Sequence, residues 1–113
     1  MAIQVVVGAT RKNLRLTVKD EAGVVINVTA WTARLQMVSK VNGLTIDVAG
    51  AIDGAAANGT FIWTELGGTN YVTTAMLAGI KSALFKGEVK YVDNTGKPDW
   101  GAEREIEWRL PTI

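Results

Sequence analysis

The fold class is decided by residues 14–29, which read LRLTVKDEAGVVINVT. In the first six residues, apolar and polar side chains alternate, which is the period-two pattern of a strand with one buried face. Residues 20–23 interrupt the alternation with turn-forming side chains, and residues 24–28 follow as a second, apolar strand. The stretch therefore predicts a β-hairpin and indicates a β-rich chain.

The same pattern continues through the rest of the sequence. Turn signals recur at short intervals, and the strongest is Asn42-Gly43, because both residues tolerate the positive φ of a tight hairpin loop. Short strands at regular spacing are typical of a sandwich or a barrel. The predicted strands cover residues 3–7, 14–19, 24–28, 31–39, 44–48, 59–64, 84–92 and 103–110.

One segment, residues 73–84, departs from the β pattern. Met76, Ile80 and Leu84 recur there at helical spacing, and few of the residues are β-branched. Gly79 in the middle weakens a helix by about 1 kcal/mol. Residues 1–113 are thus predicted to form one all-β domain, a sandwich of seven or eight strands with one short helical crossover.

Composition narrows the possible functions. At 113 residues the chain is long enough for one domain with its own core, and its 48% of hydrophobic residues argues against disorder. The absence of cysteine and histidine removes disulfides, thiolate nucleophiles, the commonest general base and the commonest transition-metal ligand. A net charge of +1 without a basic cluster argues against a nucleic-acid partner. No apolar run is long enough for a membrane span, and the N-terminus lacks a basic leader, so we expect neither a membrane partner nor secretion.

Carboxylates are the remaining groups on which chemistry could be built. Asp47 and Asp53, and likewise Asp93 and Asp99, surround turns without the dense spacing of a calcium loop, and we expect them to cap turns. The glutamates at 103, 105 and 107 share one strand face, where lysines 86 and 90 are the expected cross-strand partners. We therefore predict no catalytic residue, no metal ligand and no cofactor.

One of the four tryptophans stands apart from the others. Trp100 follows Pro98-Asp99 and precedes a glycine, in what the pattern indicates to be a loop. An exposed aromatic side chain there suits a protein interface or a sugar ring. The alternative is that Trp100 folds back over the open end of the sandwich. The other three fall on the inward positions of their strands and are expected in the core: Trp31, Trp63 and Trp108.

The order of motifs in the first forty residues resembles a group of small tailed-phage structural proteins. The matching elements are Val7-Gly8, the alternating strand at 14–18, the Asp-x-x-Gly turn at 20–23, Asn27-Val28-Thr29-Ala30 and the strand at 31–37. This order is similar to the N-terminal domain of phage baseplate upper proteins, and the runs at 59–63 and 86–96 resemble later strands of that domain. The resemblance implies an immunoglobulin-like sandwich that docks receptor-binding modules onto a baseplate. The segment at 73–84 is longer and more helical than in that domain, and the single domain favours a stand-alone adaptor.

The leading functional prediction is therefore a non-enzymatic structural protein of a tailed-phage virion, with an immunoglobulin-like fold. It would act as a tail, baseplate or fibre adaptor by docking on other virion proteins, in several symmetric copies per particle. We expect it in the virion after synthesis in the host cytoplasm. A capsid decoration protein on the phage head is the alternative, and a carbohydrate-binding module with Trp100 as its platform is a weaker one. The predicted partner contacts, chosen for their expected exposure, are Ile3, Val5, Val7, Asp53, Pro98, Asp99 and Trp100.

Overall fold

In the computed structural model, which describes residues 3–9, 11–101 and 103–111, the chain is mostly β and its strands form two sheets. One α-helix, α1 (Thr74–Leu77), and a 3-10 turn (Ala56–Asn58) complete the regular structure of these ranges. The strands are β1 (Ile3–Val6), β2 (Leu14–Thr17), β3 (Thr32–Ser39), β4 (Thr45–Ala49), β5 (Ala51–Ile52), β6 (Thr60–Trp63), β7 (Ser82–Val92), β8 (Pro98–Trp100) and β9 (Arg104–Arg109).

The larger sheet is built around β7, the longest of these strands. Its order is β1-β9-β7-β3-β4, and β8 and β9 pair with different halves of β7 on the same side. All pairs are antiparallel except β1 with β9, which run parallel with Ile3 opposite Ile106. The smaller sheet has the order β2-β6-β5. The two sheets are consistent with the predicted sandwich, and β2 lies at one edge of the smaller sheet.

The core lies between the sheets and contains two buried indole rings. Trp108 is fully buried, stands edge-on to Phe85 with ring centroids 5.1 Å apart, and donates its Nε1–H to the carbonyl of Leu66 at 2.7 Å. Trp63 of the smaller sheet donates its Nε1–H to the carbonyl of Val48 in β4 at 2.8 Å, so this indole links the two sheets. The inward placement predicted for both tryptophans is confirmed.

The main strand and turn predictions for the larger sheet are also confirmed. The alternation predicted over residues 84–92 is present in β7, where Phe85, Val89 and Tyr91 face the core. The turn predicted at Asn42-Gly43 joins β3 to β4, and the glycine has a φ of +73°. Residues with strong alternation or unambiguous turn chemistry therefore take the structure that their local pattern predicts.

The hairpin predicted for residues 14–29 is present only around its turn, where the N–H of Asp20 donates to the carbonyl of Val24 at 2.9 Å and the N–H of Ile26 donates to the carbonyl of Val18 at 3.0 Å. β2 itself pairs with β6, and residues 24–28 form no strand apart from one isolated bridge. The Asp20 carboxylate accepts the backbone N–H groups of Ala22 and Val24 at 2.9 and 3.0 Å and so holds the turn. Beyond the turn the two arms bond to other segments, because the N–H of Val28 donates to the carbonyl of Ala56 at 3.0 Å and the N–H of Val18 donates to the carbonyl of Gly59 at 2.8 Å.

Four smaller predictions also need correction. The helix predicted over residues 73–84 is reduced to α1, because Ala78 and Gly79 adopt a left-handed backbone, with φ of +50° and +84°, and end it. Leu84 belongs to β7 instead. Two segments predicted as loops contain the short strands β5 and β8. Trp31, expected in the core, is only partly buried at its margin.

Candidate functional site

Trp100 is the large aromatic side chain that the fold leaves most exposed among the described residues. It lies on β8 directly opposite Lys90 of β7, and 48% of its surface is accessible to solvent. The Lys90 ammonium lies 5.6 Å from the centroid of the ring, within the range of a cation–π contact. Trp100 is therefore on an edge strand rather than in a loop, and it does not fold back over the end of the sandwich.

The pairing of β8 explains why Lys90 and Trp100 meet. The N–H of Gly101 donates to the carbonyl of Val89 at 2.9 Å, so this pair is hydrogen-bonded. Hydrogen-bonded and non-hydrogen-bonded pairs alternate along an antiparallel ladder, which makes Lys90 and Trp100 a non-hydrogen-bonded pair. Side chains in such pairs approach each other more closely than in hydrogen-bonded pairs.

The outer edge of β8 is closed to another strand. The same alternation directs the N–H of Trp100 away from β7, and the side chain of Asp99 accepts that N–H at 2.9 Å. Pro98 has no N–H to offer. Proline and charged side chains at a sheet edge are devices that prevent strand addition. A partner at this edge is therefore expected to contact side chains rather than to extend the sheet.

A groove of about 230 Å³ runs between this edge and β2 of the other sheet. We call it the edge groove. Two cations line it, Lys19, which follows the end of β2, and Arg104 of β9. Within the described ranges, neither of these two cations has a carboxylate within 4.0 Å. The lining residues are Leu16, Thr17, Val18, Lys19, Tyr91, Asp99, Trp100, Gly101 and Arg104.

Tyr91 contributes a neutral phenol to the groove. Burial raises the pKa of its hydroxyl above 10.0, and the nearby Arg104 guanidinium, which lowers that pKa, offsets part of the effect. The ring also packs against Phe61 in the core, with centroids 5.8 Å apart. Since the phenol stays protonated at neutral pH, the charge of the groove comes from its cations and from Asp99.

The predicted contact residues of the first strand are only partly available. Val5 and Val7 are 1% and 8% exposed, so the expectation that they lie on the surface is wrong. The pairing of β1 with β9 turns both side chains toward the core. Ile3 is partly buried and borders a separate small depression formed with residues 103–105. Of the predicted contacts, Pro98, Asp99 and Trp100 are exposed together on β8.

Asp53 lies apart from these residues. It follows β5, which forms the edge of the smaller sheet away from β2, and its carboxylate accepts the Arg15 guanidinium at 2.9 Å. The segment at 49–58 that contains it lies between two of the predicted strands. It holds β5 and a 3-10 turn, whose Ala56 carbonyl accepts the N–H of Val28 at 3.0 Å. The structure therefore does not bring Asp53 together with Trp100.

The strand glutamates form ion pairs. Lys86 lies 3.4 Å from Glu103, and Lys40 lies 3.6 Å from Glu105, so the predicted charge pairing is confirmed for Lys86. Lys90, the other predicted partner, contacts Trp100 instead.

The loop aspartates take two different roles. Asp93 caps its turn by accepting the backbone N–H groups of Thr95 and Lys97. The pKa of the Asp93 carboxyl is lowered, and the hydrogen bond from the Thr95 hydroxyl contributes most to that lowering. Asp47 instead accepts the Arg34 guanidinium at 2.7 Å. Across residues 3–9, 11–101 and 103–111, no three histidine, cysteine or acidic side chains come together as metal ligands.

Sequence reasoning did not place the cations near Trp100, and one of them, Lys90, had a signal. Asn94-Thr95-Gly96 has the composition of a turn, and counting outward from its centre places Lys90 opposite Trp100. Lys19 and Arg104 carry no such signal, because their approach depends on how the two sheets pack.

Comparison of the sequence with protein-family models finds no match, and comparison with curated proteins finds none either. In the part of the chain that the structure describes, no helix combines the length and apolar character needed to cross a membrane. The function must therefore be inferred from the geometry of the chain itself and from its motifs.

Proposed function

We propose that this protein is a non-enzymatic structural protein of a tailed-phage virion that acts as a tail, baseplate or fibre adaptor. The observation that carries the docking role is Trp100, a large aromatic side chain left half exposed on an edge strand whose backbone is closed to further pairing. Exposed aromatic side chains with a polar surround are the usual energetic anchors of protein interfaces. The motif order in residues 7–37 supports the phage assignment.

We further propose that the sandwich is immunoglobulin-like. In that fold the second, fifth and fourth strands share one sheet, and the third, sixth and last strands share the other. The orders β2-β6-β5 and β9-β7-β3 correspond to this arrangement when β8 and β9 together fill the place of the last strand, and β1 departs from it by pairing with β9. Tyr71, in the connection between β6 and β7, donates its hydroxyl to the carbonyl of Thr64 at 3.0 Å. A tyrosine in this connection that bonds back to the preceding backbone is a recurring feature of such sandwiches.

Docking through the edge groove suits an assembly of repeated copies. The groove lies at one edge of the molecule and uses side chains from both sheets, so a partner there contacts a rigid part of the fold. In a symmetric particle each copy presents the same surface to the same neighbour. Many weak contacts then act together, and the overall binding is tighter than that of any single contact.

The test is to locate the protein on purified source virions by immunogold electron microscopy, together with mass spectrometry of the denatured virions. We expect label at the tail tip or the fibres. Label spread over the head would replace the adaptor with a capsid decoration protein. Absence of both label and peptides would refute a virion role.

A competition experiment links this location to Trp100. The assay uses virions from which this protein has been removed, and it follows rebinding of the labelled protein. An excess of unlabelled protein should block the rebinding, whereas an excess of the Trp100→Ala protein should not. Met76→Ala is the matched control, because Met76 is a similarly exposed apolar side chain, on α1. Equal competition by the Trp100→Ala and Met76→Ala proteins would exclude Trp100 as the anchor.

A further inference from the structure

The edge of the larger sheet formed by β4 has its backbone groups open to another strand. The N–H of Gly50 donates to the carbonyl of Ala33 at 2.8 Å, so this pair is hydrogen-bonded. Because hydrogen-bonded and non-hydrogen-bonded pairs alternate along an antiparallel ladder, the N–H and C=O groups of Thr45, Asp47 and Ala49 point away from β3. Among the residues that the structure describes, none accepts these three N–H groups. The outer side of β4 therefore carries a row of backbone donors and acceptors that matches an extended strand.

The other sheet edges within the described ranges are shorter or partly occupied. β4 has five residues, whereas β1, β2, β5 and β8 have four, four, two and three. The carbonyl of Val6 in β1 accepts the N–H of Ala9 at 3.0 Å, and Pro98 and Asp99 close β8. β4 contains neither proline nor lysine, which are common protections of an edge. Strand addition is therefore best accommodated at β4.

Arg34 and Asp47 indicate which strand fits this edge. Arg34 of β3 lies opposite Ala49, and its guanidinium reaches the Asp47 carboxylate at 2.7 Å and the Asp47 carbonyl at 3.2 Å. Because that carbonyl points away from β3, the guanidinium lies at the outer edge of β4. A guanidinium has five N–H donors, more than these two bonds use. A carboxylate on an added strand, opposite the small side chain of Ala49, would meet the same guanidinium.

We propose that β4 pairs antiparallel with β4 of a second copy of this chain, around a twofold axis at Val48. In this register Asp47 of each copy lies opposite Ala49 of the other, and each Arg34 lies between two carboxylates. The Cα atoms of Arg34 and the opposing Asp47 would be about 10 Å apart, the sum of one close and one wide strand pair, which the two extended side chains span. The four charges then alternate in sign around the axis. A register with Asp47 opposite Asp47 would instead place like charges together.

The contact is small, so we expect weak pairing in solution. It consists of four backbone hydrogen bonds between residues 47 and 49 of the two copies, the charge ring, and contact between the partly buried Val48 side chains. Such an interface falls below the roughly 1,200 Å² of stable complexes, and we expect a Kd of about 0.1–1 mM. This surface is distinct from Trp100, so the inference goes beyond the proposed docking role.

The test is sedimentation equilibrium of the purified chain together with amide hydrogen exchange by NMR, at concentrations up to about 2 mM. We expect dimers and no larger species, because a twofold contact closes on itself. The N–H groups of Asp47 and Ala49 should exchange more slowly as the concentration rises. The N–H of Arg15 is the internal control, because it points outward at the edge of the smaller sheet. A chain that stays monomeric, forms open-ended assemblies, or gains protection at Arg15 instead would overturn the pairing.

Two pairs of variants locate the contact on β4. Ala49→Pro removes an outward N–H without a hydrogen bond to β3, and should weaken dimerisation about tenfold or more, whereas Ala49→Ser keeps the N–H and should change it less than twofold. Asp47→Ala should weaken dimerisation about threefold or more, and dimerisation that falls with added salt supports the charge ring. Glu103→Ala is its control, because it removes an ion pair with Lys86 on the other side of the sheet. Circular dichroism checks the fold of each variant. Equal losses in the Asp47→Ala and Glu103→Ala proteins would overturn the site, even if Ala49→Pro fails to fold.

A strand from a different protein is the other occupant that the test distinguishes. The probe is a short peptide of alternating Val and Lys. A chain that stays monomeric, but in which this peptide slows exchange at Asp47 and Ala49, would assign the edge to a foreign strand and overturn the pairing of two copies. The virion role fails separately, because dimerisation by a protein absent from virions would support the β4 pairing and overturn only that role.

Discussion

Replacing Trp108 with phenylalanine is expected to destabilise the protein by about 2–5 kcal/mol. Trp108 is 0% exposed, and its Nε1–H is bonded to the carbonyl of Leu66, itself a fully buried residue. Phenylalanine leaves that carbonyl without its donor, at about 1–3 kcal/mol, and removes three ring atoms from a packed core, at roughly another 1–2 kcal/mol.

The matched control is the same substitution at Trp100. Trp100 is half exposed, with no core packing to lose, so Trp100→Phe should change the free energy of unfolding by less than about 1 kcal/mol, mostly through the Lys90 contact. Urea unfolding followed by far-UV circular dichroism measures both variants without depending on tryptophan emission. In a domain of this size, each kcal/mol corresponds to about 4 °C or more in Tm.

The comparison can refute the structural argument in two ways. If Trp100→Phe costs as much as Trp108→Phe, then Trp100 is a packing residue and the edge groove is not a free surface. If Trp108→Phe costs less than about 1 kcal/mol, then the hydrogen bond to Leu66 and the close contact with Phe85 do not hold the core as described.

Three further predictions concern stability. Gly87→Ala should lower the free energy of unfolding by about 1–3 kcal/mol in urea titration, because a β-carbon at this position collides with the backbone carbonyl of Gln36, and an unchanged midpoint would contradict this. Asp20→Ala should cost about 1 kcal/mol by the same assay, since two backbone N–H groups lose their acceptor; a loss no larger than that of an exposed control substitution would exclude this turn as a stabilising element. Burial raises the pKa values of the Tyr71 and Tyr91 hydroxyl groups above 10.0. Above about pH 10 these two groups therefore hold more protons in the native state than in the unfolded state, and the free energy of unfolding should fall as the pH rises. Thermal unfolding between neutral and alkaline pH measures this, and a smaller alkaline loss in Tyr71→Phe is expected.

The sequence predicts those parts of the fold in which residues close together along the chain determine the backbone conformation. The alternation in β7 and the turn at Asn42-Gly43 are such cases. The strand predicted at residues 24–28 stays short for a long-range reason, because the N–H of Val28 donates to the carbonyl of Ala56. An apolar run does not report which distant carbonyl its N–H groups will reach.

Of the residues in the candidate site, only those on β8 could be predicted from the sequence. Trp100 could be selected because it follows Pro98-Asp99 and lies between two predicted strands rather than on one. Val5 and Val7 were misplaced because alternation shows that two residues share a face but not which face is buried. The parallel pairing of β1 with β9 joins residues about a hundred positions apart, and no local pattern encodes such a contact.

The parallel pairing of β1 with β9 also determines how the folded chain responds to tension. Since β1 and β9 point the same way, force applied at Ile3 and Arg109 pulls the two strands past each other along their length. The hydrogen bonds between them, including that from the N–H of Val7 to the carbonyl of Arg109 at 2.8 Å, cross the direction of pull and share the strain. An antiparallel pair pulled from one end would open bond by bond. Between these two points, the chain resists extension by shear until the whole β1–β9 ladder slips.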